Sequence, residues 1–268
     1  MTQEERPNDS FGEYAEAWLK QRGITSRTRE HYRRLLKTRL LPTFADTELG
    51  DILPAAVRRW YVTTAVGSPT MRTHAYSLLR SIMETAFAED LIDSNPCRIA
   101  GVSTSGGTYK VRPATLGEIE NIIAAMPEAY QTLVLMAAWL AIRFSELSEL
   151  RRKDVDLAEE IVRVRRAVVR VDENFEVTTP KSAAGIRDIS IPPHLVPKID
   201  AHLRKHVQPG RESLLFSSVG APDRHLASSS LYRMFYRARE AAGRPDLRVH
   251  DLRHSGAVLA ASSDATRG

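Results

Sequence analysis

Cysteine is nearly absent: Cys97 stands alone in 268 residues. One thiol makes no internal disulfide and no thiolate cluster for zinc or for iron and sulfur, so the chain reads as one living in a reducing, cytoplasmic compartment. Long apolar runs are scarce too. The longest, Leu133 to Ile142, is about half of what a membrane span requires, and the opening MTQEERPNDS is too polar for a signal peptide. Membrane and secreted readings drop out. No internal repeat or low-complexity segment interrupts the chain. What is present is 43% hydrophobic and 26% charged residues, enough to bury one large core or two ordinary ones and too apolar for a disordered tail.

Lysine plus arginine outnumber the acids 38 to 33, and the pI is about 9.4. That excess alone fits either an anionic partner or an ordinary basic surface. Its distribution is more telling. Residues 20–39 carry Lys20, Arg22, Arg27, Arg29, Arg33, Arg34, Lys37 and Arg39 against a single acid, Glu30. A phosphate backbone would match that stretch.

Residues 1–10 read as a flexible leader. From there to residue 100 the periodicity is helical. Phe11, Tyr14, Ala15, Trp18 and Leu19 share one face of a first helix. Ser26 is placed to cap a second, with Tyr32, Leu35 and Leu36 as its apolar stripe, the arginines exposed around it and Pro42 as its stop. Pro54 and the Ser68-Pro69 pair open a third and a fourth. The stretch 101–113, GVSTSGGTYKVRP, loses apolar periodicity and reads as a linker. A second domain follows over 114–268. Thr115 and Glu118 suggest a capping box, and LVLMAAWLAI is apolar all round, as in a helix at the centre of a domain. Then IVRVRR, AVVRV, FEVTT and RDISI alternate and are β-branched, which predicts one small antiparallel meander over 161–191. Helices resume at Pro193, around Ser229 to Ala242, and from about Asp251. The fold class is mainly α with a small antiparallel β-sheet.

Three segments of the second domain carry candidate chemistry. AIRFSEL places Arg143 at the end of the apolar helix, where a buried guanidinium needs an anion or a cleft. Glu146, three residues on, could be that anion and nothing more. TPKSAAGIRDI places Lys181 in a turn between strands, either a solvated lysine or an amine reaching for a ligand. HDLRH sets His250 and Arg253 on adjacent turns, able to face one anion at a helix N-terminus. His250 and His254 also have the spacing of zinc ligands, but the glutamate that zinc hydrolases place between them is replaced by leucine and arginine, so no metal is expected.

The ordered set Arg143 with Glu146, Lys181, and His250-x-x-Arg253 resembles the active site of phage-type tyrosine recombinases, the integrases. Similarity runs from about Phe11 to the end, through FGEYAEAWLKQRG, ELRRKDVDL and RVHDLRHSGAVLAAS, and is strongest to actinobacterial and mycobacterial prophage integrases. The resemblance implies a SAM-like helical core-binding domain and a mixed α+β catalytic domain that together embrace duplex DNA at a core-type attachment site. It implies site-specific recombination of prophage DNA at the nucleoid through a 3′-phosphotyrosyl bond, with no cofactor. Arg143 and Arg253 would hold the scissile phosphate, Lys181 would protonate the leaving 5′ oxygen, His250 would assist, and Glu146 would orient Arg143 from behind. Arg27, Arg29, Arg33, Arg34, Lys37 and Arg72 are the candidate DNA contacts. Homo-tetramers on DNA and accessory bending and directionality proteins belong to the same picture, with a monomer expected off DNA for this chain.

Three departures accompany the resemblance. The family continues past the HxxR helix to a Gly-His or Gly-Trp pair and a nucleophilic tyrosine, whereas all eight tyrosines here precede Arg253, which lies fifteen residues from Gly268. Tyr232 and Tyr236, on the helix before the motif, are poor substitutes. The sequence is therefore expected to be truncated, an integrase whose tyrosine comes from a longer chain or another protomer; the alternative is a catalytically dead DNA-binding remnant. The arm-binding domain of many phage integrases is also expected to be missing. Last, Ala141 replaces the usual glycine two residues before the first arginine, an exchange expected to be tolerated because alanine is the better helix former. A helical regulator using only residues 20–39 is the competing non-homologous reading, and it leaves the second domain's ordered set unexplained.

Overall fold

A computed structural model describes residues 10–102, 112–180, 185–253 and 255–256. The chain divides into two compact units, Met1–Tyr109 and Lys110–Gly268. It is mainly helical, with small antiparallel sheets in the second unit.

In the first unit, α1 (Phe11–Gln21) begins at a reciprocal cap. Ser10 Oγ accepts from the Glu13 N–H, and Glu13 accepts from the Ser10 N–H. Its face of Phe11, Tyr14, Ala15, Trp18 and Leu19 is buried. Helix α2 (Ser26–Leu35) is capped by Thr25 rather than Ser26, because the Thr25 hydroxyl accepts from the Thr28 N–H at 3.3 Å. Nor does Pro42 end the helical run. Beyond α2 the chain makes one π turn, Leu36–Leu40, and continues as α3 (Leu41–Phe44), where Pro42 sits in a first turn that asks nothing of its missing N–H. The Trp60 indole N–H donates to the Arg39 carbonyl within that turn at 2.9 Å. Helices α4 (Pro54–Thr63) and α5 (Pro69–Ala88) complete the unit, α5 contributing Tyr76, Leu79, Ile82 and Met83 to the core. Burial pushes the Cys97 thiol up to about 12, which keeps it an unreactive packing group.

The second unit opens with α6 (Leu116–Ala125), capped reciprocally by Thr115 and Glu118. Helix α7 (Glu128–Trp139) is buried nearly all round and forms the centre of the core. A single helical turn, α8 (Phe144–Leu147), follows. The expected meander over 161–191 is instead two separate pieces. Strands β1 (Val155–Asp156), β2 (Ile161–Val164) and β5 (Arg187–Ser190) form one sheet in the order β1-β2-β5, and β3 (Ala167–Val171) with β4 (Asn174–Thr178) form an independent hairpin. Arg165 and Arg166 part them. Arg165 donates to the Arg187 carbonyl at the end of the β2–β5 pair, whereas Arg166 reaches back to Glu149 and Asp154. The chain continues through α9 (Val196–His206), the hairpin β6 (Ser217–Ser218) and β7 (Ala221–His225), and α10 (Ser228–Ala241). A 3-10 turn at Val249–Asp251 then runs into helix at Leu252 and Arg253.

Glu149, wholly buried, ties these pieces together. Its carboxylate accepts from Arg151 Nε at 2.8 Å and Arg166 Nε at 3.2 Å, and lies 2.6 Å from His225 Nε2 on β7. Burial alone would raise its pKa, but the bonds from His225, Arg151 and Arg166 more than offset that and hold it at about 2. Such a depressed carboxylate contributes stability that is complete above its unfolded pKa of about 4.5 and is lost as pH falls towards 2. We expect Glu149→Gln to cost about 3 kcal/mol at neutral pH. Urea unfolding followed from pH 7 down to pH 2.5 should show that gap closing, and a gap independent of pH would contradict the ion-pair account.

Candidate functional site

Glu146 lies at the centre of the site with only 2% of its side chain exposed. A carboxylate so buried must fill its lone pairs, and four hydrogen bonds do so. Oε1 accepts from Arg143 Nη1 at 2.9 Å and Arg187 Nη1 at 3.2 Å. Oε2 accepts from the Arg143 backbone N–H and from Arg187 Nη2, each at 2.9 Å. Burial works against the charge, but the bonds from Arg187 and Arg143 hold Glu146 below the ordinary carboxylate range.

Local backbone geometry explains how Arg143 comes to stand there. Helix α7 ends at Trp139, and the chain reverses through Ala141, whose φ is +49°. Arg143 is then the N-cap of α8, not the last residue of an apolar helix, and Glu146 is the third residue of that turn. The expectation for Ala141 rested on helix propensity and is corrected here. The position is left-handed, where a Cβ is penalised and glycine is at ease.

Arg253, near the far end of the unit in sequence, lies within range of the charges of Arg143, Glu146 and Arg187. Burial lowers its pKa, the positive charges of Arg143 and Arg187 lower it further, and Glu146 works the other way. Its short helix is fixed on both sides of the arginine. Leu252 is fully buried, and the Ser255 hydroxyl accepts from the Ala114 N–H at 2.8 Å. Gly256 lies so near the end of α7 that a Cβ there would overlap the Ala138 carbonyl oxygen. His250 is exposed in the preceding 3-10 turn, three residues before Arg253.

Lys181 and His254 lie outside the described residues. The flanks of Lys181 are described: Pro180 and Gly185 touch, and a Cβ on Gly185 would sit 2.4 Å from that of Pro180. These flanks follow β4 and precede β5, strands of different sheets. Among the described residues no group of three or more His, Cys, Asp and Glu could hold a metal ion, and no helix is long and apolar enough to cross a membrane.

In the first unit the candidate cations divide. Arg27, Arg33, Arg34 and Lys37 are exposed on α2 and the π turn. Arg29 is turned inward, its guanidinium donating to the carbonyls of Leu19 and, at 2.6 Å, Arg22. It caps the exit of α1. Arg72 is half-buried over the ring of Tyr61, 5.1 Å from its centroid.

Tyr232 and Tyr236 stack on each other at 5.8 Å, with Phe144 beside the first and Arg239 over the second. Arg187 was not anticipated as part of the site. In the sequence it is one polar residue of an alternating strand, and only the double demand of buried Glu146 distinguishes it.

Comparison with known proteins gives consistent matches. The model of the phage integrase family matches residues 114–263, and that of the phage integrase N-terminal SAM-like domain matches residues 10–63. A protein of Mycobacterium tuberculosis bearing the name of the prophage phiRv2 integrase is 73% identical over 264 residues, spanning 98% of this chain and 70% of that protein. The integrase of Mycobacterium phage D29 is 36% identical over 258 residues, spanning 95% and 68%. Among solved structures, the Tn1549 transposon integrase in complex with a circular intermediate DNA superposes with a TM-score of 0.77 at 16% identity, covering 95% of this chain and 87% of that one. A λ integrase dimer bound to a COC′ core site gives 0.67 at 19%, covering 94% and 89%. At these identities the two structures establish a shared fold.

The strain at residue 141 can be measured. Ala141→Gly should raise the unfolding free energy by about 1 kcal/mol, read as a higher denaturant midpoint at unchanged m-value. A loss of stability would show that the left-handed turn is not where the cost lies.

Proposed function

The chain belongs to the phage integrase family of tyrosine recombinases, and from that membership we propose that it grips and activates the scissile phosphate in site-specific integration of prophage DNA. The observation that carries the reading is the convergence on Glu146 of Arg143 and Arg187 from two separate segments, with Arg253 close enough to feel the charge of all three. Attack on a phosphodiester passes through a five-coordinate phosphorane with added negative charge on its non-bridging oxygens. Guanidinium groups stay charged at every working pH and can bond two such oxygens at once.

In this reading Arg143 and Arg253 bind those oxygens. A tyrosine hydroxyl gives up its proton to a base as its oxygen bonds to phosphorus, the bond to the 5′ oxygen breaks, and that oxygen takes a proton from Lys181, with His250 assisting as acid, base or phosphate ligand. Resealing is the reverse reaction on an exchanged strand, and the phosphotyrosyl bond conserves the energy of the broken one. Exposed Arg27, Arg33, Arg34 and Lys37 would track the DNA backbone, and Arg29 and Arg72 would support them structurally. The same reading places four protomers on two synapsed sites at the nucleoid, with accessory DNA-bending and directionality proteins.

Covalent trapping on attachment-site DNA, in the assembly that supplies the tyrosine, tests the assignment. Arg143→Ala or Arg253→Ala should lower cleavage by about 10²-fold or more and leave DNA affinity within about threefold. Equal loss of binding and cleavage would sink the clamp. Binding should also weaken steeply with salt, and Arg34→Ala should reduce the log–log slope by about one; an unchanged slope would remove that side chain from the DNA-contacting set.

A further inference from the structure

We propose that Arg187 is a positioning residue of the phosphate site: it occupies both oxygens of Glu146 and so keeps the guanidinium of Arg143 available to the substrate. The inference rests on the phosphate-gripping reading above and extends it to a residue outside the family-derived set of Arg143, Lys181, His250 and Arg253.

The division of donors supports it. Of the four hydrogen bonds that fill the Glu146 carboxylate, Arg187 gives two, one to each oxygen. Arg143 gives one from its backbone and one from a single guanidinium nitrogen. Its side chain stays 53% exposed, against 26% for Arg187. Arg187 is thus the anchor and Arg143 the exposed cation. With Arg187 removed, a buried carboxylate would be left with half its acceptors unfilled, which is costly. Arg143 is already bonded to Glu146 and would answer best by closing a two-pronged pair with it, withdrawing the donors a phosphate needs.

Arg187 is itself held firmly. Its backbone pairs with Val164 in the β2–β5 ladder, and its carbonyl accepts from Arg165 at 2.9 Å. Its Nη1 also donates to the Gly185 carbonyl at 3.0 Å. Arg143 and Arg187 share one buried carboxylate, which leaves an excess of positive charge. Arg253 experiences that repulsion from both Arg143 and Arg187, and an incoming phosphate would relieve it.

The test uses inorganic phosphate titrated into the whole chain labelled with ¹⁵N at arginine. The Nε–Hε resonances of Arg143 and Arg253 are assigned through Arg143→Lys and Arg253→Lys. In the unsubstituted protein both should move saturably with one Kd. Arg187→Gln should weaken that Kd about tenfold, the scale of one charge-assisted hydrogen bond. Arg187→Lys, which keeps the charge but not the fork, should fall between. A role confined to packing would lower the unfolding midpoint but leave the Kd of the folded protein within twofold, and that result overturns the proposal. Should Arg187→Gln not fold, an unchanged Kd in folded Arg187→Lys overturns it equally. If the unsubstituted protein shows no saturable movement at Arg143 and Arg253, the phosphate reading itself fails and takes this inference with it.

Discussion

A carboxylate keeps its charge in burial only where donors fill its oxygens, and in the second unit that constraint acts at Glu146. Its two oxygens draw Arg143 from the turn after α7 and Arg187 from β5, and leave Arg253 held among like charges. Desolvation makes the arrangement rigid: a guanidinium that drifts away strands a charge in a poor dielectric. Glu149, three residues later, repeats the device with Arg151, Arg166 and His225. The first carboxylate joins the turn after α7 to β5, and the second joins Arg151 and Arg166 to His225 on β7.

The basic residues accordingly divide into those the fold consumes and those it leaves exposed. Arg29 is spent on the carbonyls at the end of α1, and Arg244, almost fully buried, binds Asp246, Glu118 and the Arg112 carbonyl. Arg27, Arg33, Arg34 and Lys37 remain in solvent. Net charge counts both groups alike. Only the second can respond to a partner, which is why distribution along α2 carried more meaning than the overall excess.

Much of this was legible in the sequence. The buried face of α1, the caps at Thr115 and Glu118, the proline starts of α4 and α5 and the central helix α7 all follow from local periodicity and terminal chemistry, and each is present. The pairing of Arg143 with Glu146 was readable for the same reason, being three residues apart. What was not legible depends on distant partners. Pro42 looks like a stop because nothing local reveals that a π turn precedes it and leaves it in the first turn of α3. Four alternating segments look like one meander because nothing local reveals that Arg165 and Arg166 face different partners. Arg187 looks like any polar strand residue until Glu146, forty-one positions earlier, is seen to need it. Ala141 misled through an opposite fault, a sound propensity applied to a residue that is not in a helix.

The contact between Pro180 and Gly185 bears on how such a protein can diversify. Where two ends of a segment already touch, closing the loop costs little more as the segment lengthens, the entropy growing only with the logarithm of its length. Changes in the spacing between Pro180 and Gly185 would therefore leave β4, β5 and the Glu146 cluster in place, while the role proposed for Lys181 requires that lysine to stay.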